Sequence, residues 1–160
     1  MTTTTLLDAI AVVKQNERIA SDSYLEAAKS ITNPLGKQLF TQLSAFEQYH
    51  FEVITALEKS LREKGEFVAY EGKDFPLPPV FEIEAAKEAH KKSVMKIIAE
   101  ARQLEKTAEK AYTELAAKTK DLQGHETFIR LAREENAHYF ILSEAYWTLT
   151  NLGVWKWTRP

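Results

Sequence analysis

The sequence predicts an all-α protein, an antiparallel four-helix bundle made of two repeated helical hairpins. Three observations support this prediction. Glycine and proline fall mainly at three breaks in the chain, the two halves of the sequence align without a gap, and each predicted helix carries an apolar seam at helical spacing. A chain of 160 residues with 44% hydrophobic residues can bury such a core, and we expect one domain over residues 1–160.

The first hairpin is predicted from capping residues and from the break at its centre. Its first helix should run from a threonine cap near Thr5 to about Thr32. Its second helix should begin at the cap Asn33, with Pro34 at the first helical position, and continue to about Lys64.

The second hairpin follows the same rules. Its first helix should begin at a cap at Ser93, or somewhat earlier near Glu82, and end near Lys118. Its second helix should begin at the cap Asp121 and end at about Leu152.

The two hairpins are internal repeats. When Glu17 is placed over Glu105, the halves at about 5–64 and 93–152 align without a gap. The matched pairs include Thr5 with Ser93, Gln15 with Gln103, Tyr24 with Tyr112, Asn33 with Asp121, Gly36 with Gly124, Phe40 with Phe128, Glu47 with Glu135 and His50 with His138. Since each hairpin can bury its apolar face only against the other, the repeat predicts a four-helix bundle.

A long crossover, residues 65–83 approximately, joins the second and third predicted helices. It contains Phe67, Tyr70, Phe75 and Phe81 together with several prolines. Flexible linkers are rich in glycine and serine instead. We therefore expect the crossover to pack along the bundle as an extended strap.

Ionisable residues interrupt the apolar seam of every helix at about the same depth. They are Glu17, Glu47, His50, Glu105, Glu135 and His138. The two Glu-x-x-His pairs each place both side chains on one face of a helix. Four carboxylates in a core of low dielectric would repel one another, and no lysine or arginine falls on these seams. Two divalent cations would balance them, with the neutral histidines as nitrogen ligands.

The repeat also decides which other polar residues are left out of the site. Glu134 is adjacent to Glu135, but it aligns with Phe46 and is therefore excluded. The remaining candidates have no ligand counterpart in the other half, and we expect them to be solvated surface residues: Glu52, Glu109, His90 and His125.

This duplicated pattern resembles the ferritin-like superfamily of di-iron carboxylate proteins, and within it most closely the rubrerythrin-type proteins. The resemblance implies a ferritin-like fold and two bound iron ions. It further implies that Glu47 and Glu135 bridge the irons, that Glu17 and Glu105 are terminal ligands, and that each histidine caps one iron. Tyr24 and Tyr112, two turns after the terminal glutamates, would be hydrogen-bond donors that orient ligands, or ordinary core residues.

The function implied by the resemblance is a di-iron oxidoreductase, a rubrerythrin-like peroxidase or a ferroxidase. It would reduce hydrogen peroxide or O2 while oxidising Fe(II), in oxidative-stress defence or iron handling. The alternative is a non-catalytic protein that binds or stores metal. Glu/His sites also accept Mn, Co or Zn, so the ligands alone leave the metal open.

Two departures from rubrerythrins bear on this function. The chain has no cysteine, so it holds no rubredoxin-type iron site, and we expect an external electron donor. Rubrerythrins also tend to carry an extra glutamate one turn after the third-helix ligand, where this chain has Ala108. A symmetrical six-ligand site like that of bacterioferritin therefore stays open.

Composition bears on partners and location. Twenty-one basic and 23 acidic residues give a formal net charge of −2, which offers no reason to expect nucleic acid or a membrane surface as a partner. The start of the chain does not resemble a signal peptide, and we expect a cytoplasmic protein that forms a homodimer or a higher homo-oligomer. Trp147, Trp155 and Trp157 would either fold back over the bundle, pack in a dimer or dock a partner.

Overall fold

A computed structural model describes residues 2–76, 78 and 83–158. These residues form five helices in the order α1 (Thr3–Ser30), α2 (Pro34–Lys64), α3 (Ile83–Ala86), α4 (Lys91–Lys118) and α5 (Leu122–Leu152). The four long helices form two antiparallel pairs, α1 with α2 and α4 with α5, and α1 also packs against α4. The predicted all-α bundle of two hairpins is therefore confirmed, whereas the single domain over the whole chain stays a prediction.

The breaks between paired helices lie where the sequence places them. Asn33 accepts hydrogen bonds from the backbone N–H groups of Leu35 and Gly36, and Asp121 accepts one from Gly124. Both second helices end at a glycine in the left-handed conformation, Gly65 and Gly153. Glycine adopts that conformation at little steric cost, so these C-caps follow from the sequence.

The predicted caps at the start of each hairpin were wrong. The N-cap of α1 is Thr2, whose hydroxyl accepts from the backbone N–H of Thr5. Helix α4 begins at Lys91 and its N-cap His90 makes no side-chain cap, while the hydroxyl of Ser93 donates to the carbonyl of His90. The alternative start near Glu82 lies outside the described residues.

A layer of ionisable residues divides the buried core into two hydrophobic clusters. One cluster packs around Phe40, Phe46 and Leu142, and the other around Ile10, Ile54, Phe128 and their neighbours. In each long helix the polar residues fall between the segments that supply these two clusters. The site is therefore enclosed by apolar packing on both sides along the bundle axis, which keeps its dielectric low.

The crossover packs against the bundle, as predicted. Tyr70 and Phe75 are buried and Phe67 is partly buried, while Phe81 and Pro79 lie outside the described residues. The chain end also folds back, because Trp155 and Trp157 are buried, whereas Trp147 is exposed.

Two aligned glycines make room for these returning segments. A Cβ at Gly36 would lie 2.6 Å from Cε2 of Trp155, and a Cβ at Gly124 would lie 2.6 Å from the ring of Phe67. Any larger residue would therefore push an aromatic side chain off the start of α2 or α5. Within residues 2–76, 78 and 83–158, no helix has both the length and the apolar character needed to cross a bilayer.

Candidate metal centre

All six candidate ligands meet at one level of the bundle. Helix α1 supplies Glu17, α2 supplies Glu47 and His50, α4 supplies Glu105, and α5 supplies Glu135 and His138. Each is at most 2% exposed. The first helix of each hairpin supplies one glutamate, and the second helix supplies one Glu-x-x-His pair. The repeat places these residues at matching depth, and the four helices therefore bring them together.

The six residues form two overlapping groups. The first contains Glu17, Glu47, His50 and Glu135, and the second contains Glu47, Glu105, Glu135 and His138. Within each group, one possible ligand atom from every residue lies within 4.8 Å of the others. Because Glu47 and Glu135 belong to both groups, the arrangement is consistent with a dinuclear site that has two shared carboxylates.

Both imidazoles turn the same nitrogen toward the carboxylates. His50 Nδ1 lies 2.5 Å from Glu135 Oε1 and 3.3 Å from Glu47 Oε2. His138 Nδ1 lies 3.0 Å from Glu47 Oε1 and 3.6 Å from Glu105 Oε1. Nδ1 is therefore the nitrogen that each histidine can offer to a cation.

Two tyrosines connect the hairpins across the site. The hydroxyl of Tyr24 in α1 donates to Glu105 in α4 at 2.8 Å, and that of Tyr112 in α4 donates to Glu17 in α1 at 2.6 Å. Burial, and then the charge of nearby carboxylates, raises the pKa of both phenols well above its usual value. Both tyrosines therefore remain protonated donors, which suits a role in orienting Glu105 and Glu17.

Burial and mutual repulsion make the cluster hold protons. Burial raises the pKa of Glu17 and Glu135 well above the usual value, and the charge of neighbouring carboxylates raises it further. Burial alone would lower the pKa of His138, but the adjacent Glu105 and Glu47 outweigh it and raise that pKa to about 9. These protons neutralise part of the negative charge of the carboxylates, and a cation that binds there would displace them.

The pKa values of His50 and Glu47 shift in opposite directions. Burial opposes the charged form of His50, yet the carboxylates of Glu135 and Glu17 raise its pKa well above the usual value. Burial also opposes the charged form of Glu47, but its contacts with Glu17 and with both histidines hold its pKa well below the usual value. Among the four buried glutamates, Glu47 is therefore the one whose ionised form its surroundings favour.

Several polar atoms of the cluster are buried without a hydrogen bond of normal geometry among the described residues. They are Glu47 Oε2, His50 Nδ1, Glu105 Oε2, Glu135 Oε1 and His138 Nε2. Unpaired buried polar atoms are costly and therefore rare. Four of them belong to the inward-facing ligand set of carboxylate oxygens and imidazole nitrogen that suits Fe(II), Mn(II) or Zn(II). The donor set thus fits a pair of divalent ions.

The alignment of the two halves of the sequence missed two residues that reach this cluster. Glu134 accepts a hydrogen bond from His50 Nε2 at 3.1 Å, and the hydroxyl of Tyr70 in the crossover also donates to Glu134. Glu134 belongs to neither of the two ligand groups. The sequence does carry one signal for Glu134: it lies seven residues from Thr127 and from Ile141, which are both buried. That spacing puts Glu134 on the flank of the apolar seam.

The other polar residues set aside from the site behave in two ways. Glu52 and His90 are exposed, as expected. Glu109 and His125 are only partly exposed, and His125 Nδ1 lies 2.7 Å from the carbonyl of Ala116 at the end of α4. His125 is therefore a partly exposed residue that contacts the last turn of a helix.

Antiparallel helical pairs around a buried cluster of glutamates and histidines define a ferritin-like bundle with a candidate di-metal carboxylate site. The model of the rubrerythrin family matches residues 4–146, which is most of the chain, so the protein belongs to the rubrerythrin family. Among solved structures, a hypothetical protein from Pyrococcus furiosus is similar in fold, with a TM-score of 0.74, 21% sequence identity, and coverage of 94% of this chain and 93% of that one. No curated protein matches the chain significantly.

Proposed function

We propose that the chain binds two iron ions and uses them to reduce hydrogen peroxide or O2 while Fe(II) is oxidised. The observation that carries this proposal is the sharing of Glu47 and Glu135 by two buried ligand groups. Glu17 and His50 would complete one half-site, and Glu105 and His138 the other. Membership of the rubrerythrin family supports the same chemistry.

The charge of the ligand set matches the ions proposed. Four carboxylates balance two divalent cations, and neutral imidazoles add no charge. Bound iron would supply one electron from each ion, so that two Fe(II), one hydrogen peroxide and two protons give two Fe(III) and two water molecules. The 160 residues contain no cysteine, so electrons that return the iron to Fe(II) come from a donor outside them.

A small opening between α1 and α4 gives an oxidant a route to the carboxylates. Ala20 and Ala108, which the repeat superposes, line this cavity of about 100 Å³ together with Glu17, Glu105 and Glu135. A cavity can hold a water molecule once about 10–15 Å³ is open to the centre of a molecule of that size, so this cavity is large enough to admit hydrogen peroxide or O2.

The residues around the cluster protect this chemistry. The two hydrophobic clusters exclude bulk water along the bundle axis. Tyr24 and Tyr112 hold the terminal glutamates in place from the opposite hairpin. A rigid set of ligands of this kind keeps its geometry while the charge of the bound ions changes.

Anaerobic loading followed by oxidation tests the proposal. Metal-free protein is mixed with Fe(II) without oxygen, hydrogen peroxide or air is added, and ferric absorbance is followed against a protein-free solution and the Glu47→Ala variant. We expect faster Fe(II) oxidation with the wild-type chain than with either control. Binding of iron without faster oxidation would instead establish the alternative, a protein that binds or stores metal.

A further inference from the structure

The two histidines of the cluster are supported differently on their outer edges. His50 directs Nδ1 toward the carboxylates, and its Nε2 lies 3.1 Å from Glu134 Oε1. His138 also directs Nδ1 inward, but its buried Nε2 has no hydrogen-bond partner among the described residues. Both histidines therefore face carboxylates through Nδ1, but they differ in what lies beside Nε2.

The origin of the difference is a single position in the repeat. Glu134, which contacts His50, aligns with Phe46, which packs against His138 with ring centroids 4.5 Å apart in an edge-to-face arrangement. Phe75 of the crossover covers the same imidazole at 5.4 Å. Two aromatic rings therefore pack against His138, whereas a carboxylate contacts the outer nitrogen of His50.

Glu134 is itself held in place by the crossover. The Tyr70 hydroxyl donates to its Oε1, and the backbone N–H of Lys73 donates to its Oε2 at 3.3 Å. Gly72, with φ of 90°, lies so close that a Cβ there would be 3.3 Å from Glu134 Oε2. The Glu134 side chain is only 13% exposed, so its carboxylate is oriented by contacts rather than free in solvent.

A carboxylate on the outer nitrogen of a metal-binding histidine has a known physical effect. It holds the ring in the tautomer that carries the proton on the outer nitrogen, it fixes the ring orientation, and it makes the inner nitrogen a stronger donor to a cation. Loss of such a partner typically lowers metal affinity by about 10- to 100-fold. His138 lacks this support among the described residues.

We propose that Glu134 is a positioning residue that makes the two half-sites unequal, so that the half-site of Glu17 and His50 binds its divalent ion more tightly than the half-site of Glu105 and His138. This inference rests on the proposed metal centre and is independent of its redox reaction. It argues against the symmetrical site that the sequence leaves open and for a site that fills in order.

Anaerobic calorimetric titration with Co(II) alone, followed in parallel by the visible absorbance of the bound ion, tests the inference on the full chain. We expect two binding steps in the wild type, with affinities that differ by about tenfold or more. In Glu134→Ala the tighter step should weaken by about 10- to 100-fold and its absorbance should change, while the weaker step stays nearly the same. Glu134→Gln keeps an acceptor for His50 and should restore part of the loss.

The matched control is Glu126→Ala, which removes the same charge from an exposed position of the same helix. It should leave both steps unchanged. Two equal steps in the wild type, an equal effect of Glu134→Ala on both steps, or the same effect in Glu126→Ala would each overturn the inference. Absence of any Co(II) binding would overturn the metal centre as well, whereas unequal binding without Fe(II) oxidation would leave the inference standing and refute only the enzyme.

Single-histidine variants assign the tighter step to its half-site. When Glu134→Ala is added to His138→Ala, the remaining ion should bind less tightly, because His50 is still present. The same substitution added to His50→Ala should have no effect on the remaining ion. The opposite pattern would show that Glu134 does not act through His50.

Discussion

Removal of metal should make the stability of this protein depend on pH in a direction that the buried cluster dictates. The neighbouring carboxylates raise the pKa of His138 from 6.5 to about 9. A group whose pKa is raised by folding contributes its full stabilisation when the pH is below the pKa of the unfolded state. That contribution is lost as the pH rises through the pKa of the folded state. Metal-free protein should therefore lose stability between about pH 6.5 and pH 9.

The size of the effect follows from the shift. Each pKa unit corresponds to about 1.4 kcal/mol, so His138 alone contributes about 3 kcal/mol, which is lost by the top of this range. For a chain of this size that loss corresponds to a fall in Tm of roughly 6–12 °C. The raised pKa values of Glu17 and Glu135 act in the same direction. The lowered pKa of Glu47 gives a stabilising contribution that is constant through this window and is lost only at acidic pH.

Thermal unfolding followed by far-UV circular dichroism in the presence of a chelator measures this effect from pH 6 to pH 9. Metal-loaded protein should show a much smaller change, because bound cations replace the protons. His138→Gln should flatten the profile of the metal-free protein, whereas His125→Gln, at a histidine outside the cluster, should not. A Tm of the metal-free wild type that stays constant or rises over this range would refute the electrostatic reasoning.

Three further substitutions test separate parts of the structure. Ala108→Leu should fill the opening of about 100 Å³ and slow Fe(II) oxidation at least severalfold with two ions still bound; unchanged oxidation would show that the oxidant enters elsewhere. Tyr112→Phe removes the donor to Glu17 and should weaken binding of one ion by about tenfold in a Co(II) titration, and equal affinity would assign the tyrosine to packing alone. Gly36→Ala should lower the free energy of unfolding by about 1–3 kcal/mol in urea titrations, because the new Cβ collides with Trp155; no loss would contradict that contact.

Most of the fold and the ligand cluster could be predicted from the sequence because both are encoded by periodicity. The repeat superposes Asn33 on Asp121, and both residues cap helices as expected. The apolar seams place the six ionisable residues at one depth, where the structure brings them together. Thr5 was wrongly expected to cap α1 because the threonines at the start of the chain are chemically equivalent caps, and the choice between them is not set by the repeat.

Glu134 could not be found by comparing the two halves. The comparison assumes equivalent half-sites, but the crossover occurs between the halves and has no second copy, so its contacts break the symmetry. Tyr70 and the backbone of Lys73 position Glu134 beside His50. A contact of this kind depends on the path of the crossover, which helical periodicity does not encode.

Metal analysis of the purified protein tests the central claim most directly. Wild-type protein loaded with Fe(II) without oxygen and freed of excess metal should contain two ions per chain. Glu47→Ala and Glu135→Ala should each lose both ions, because these carboxylates belong to both ligand groups, whereas Glu17→Ala should keep one. One ion or none in the wild type, or retention of both ions after removal of either shared carboxylate, would contradict the dinuclear site.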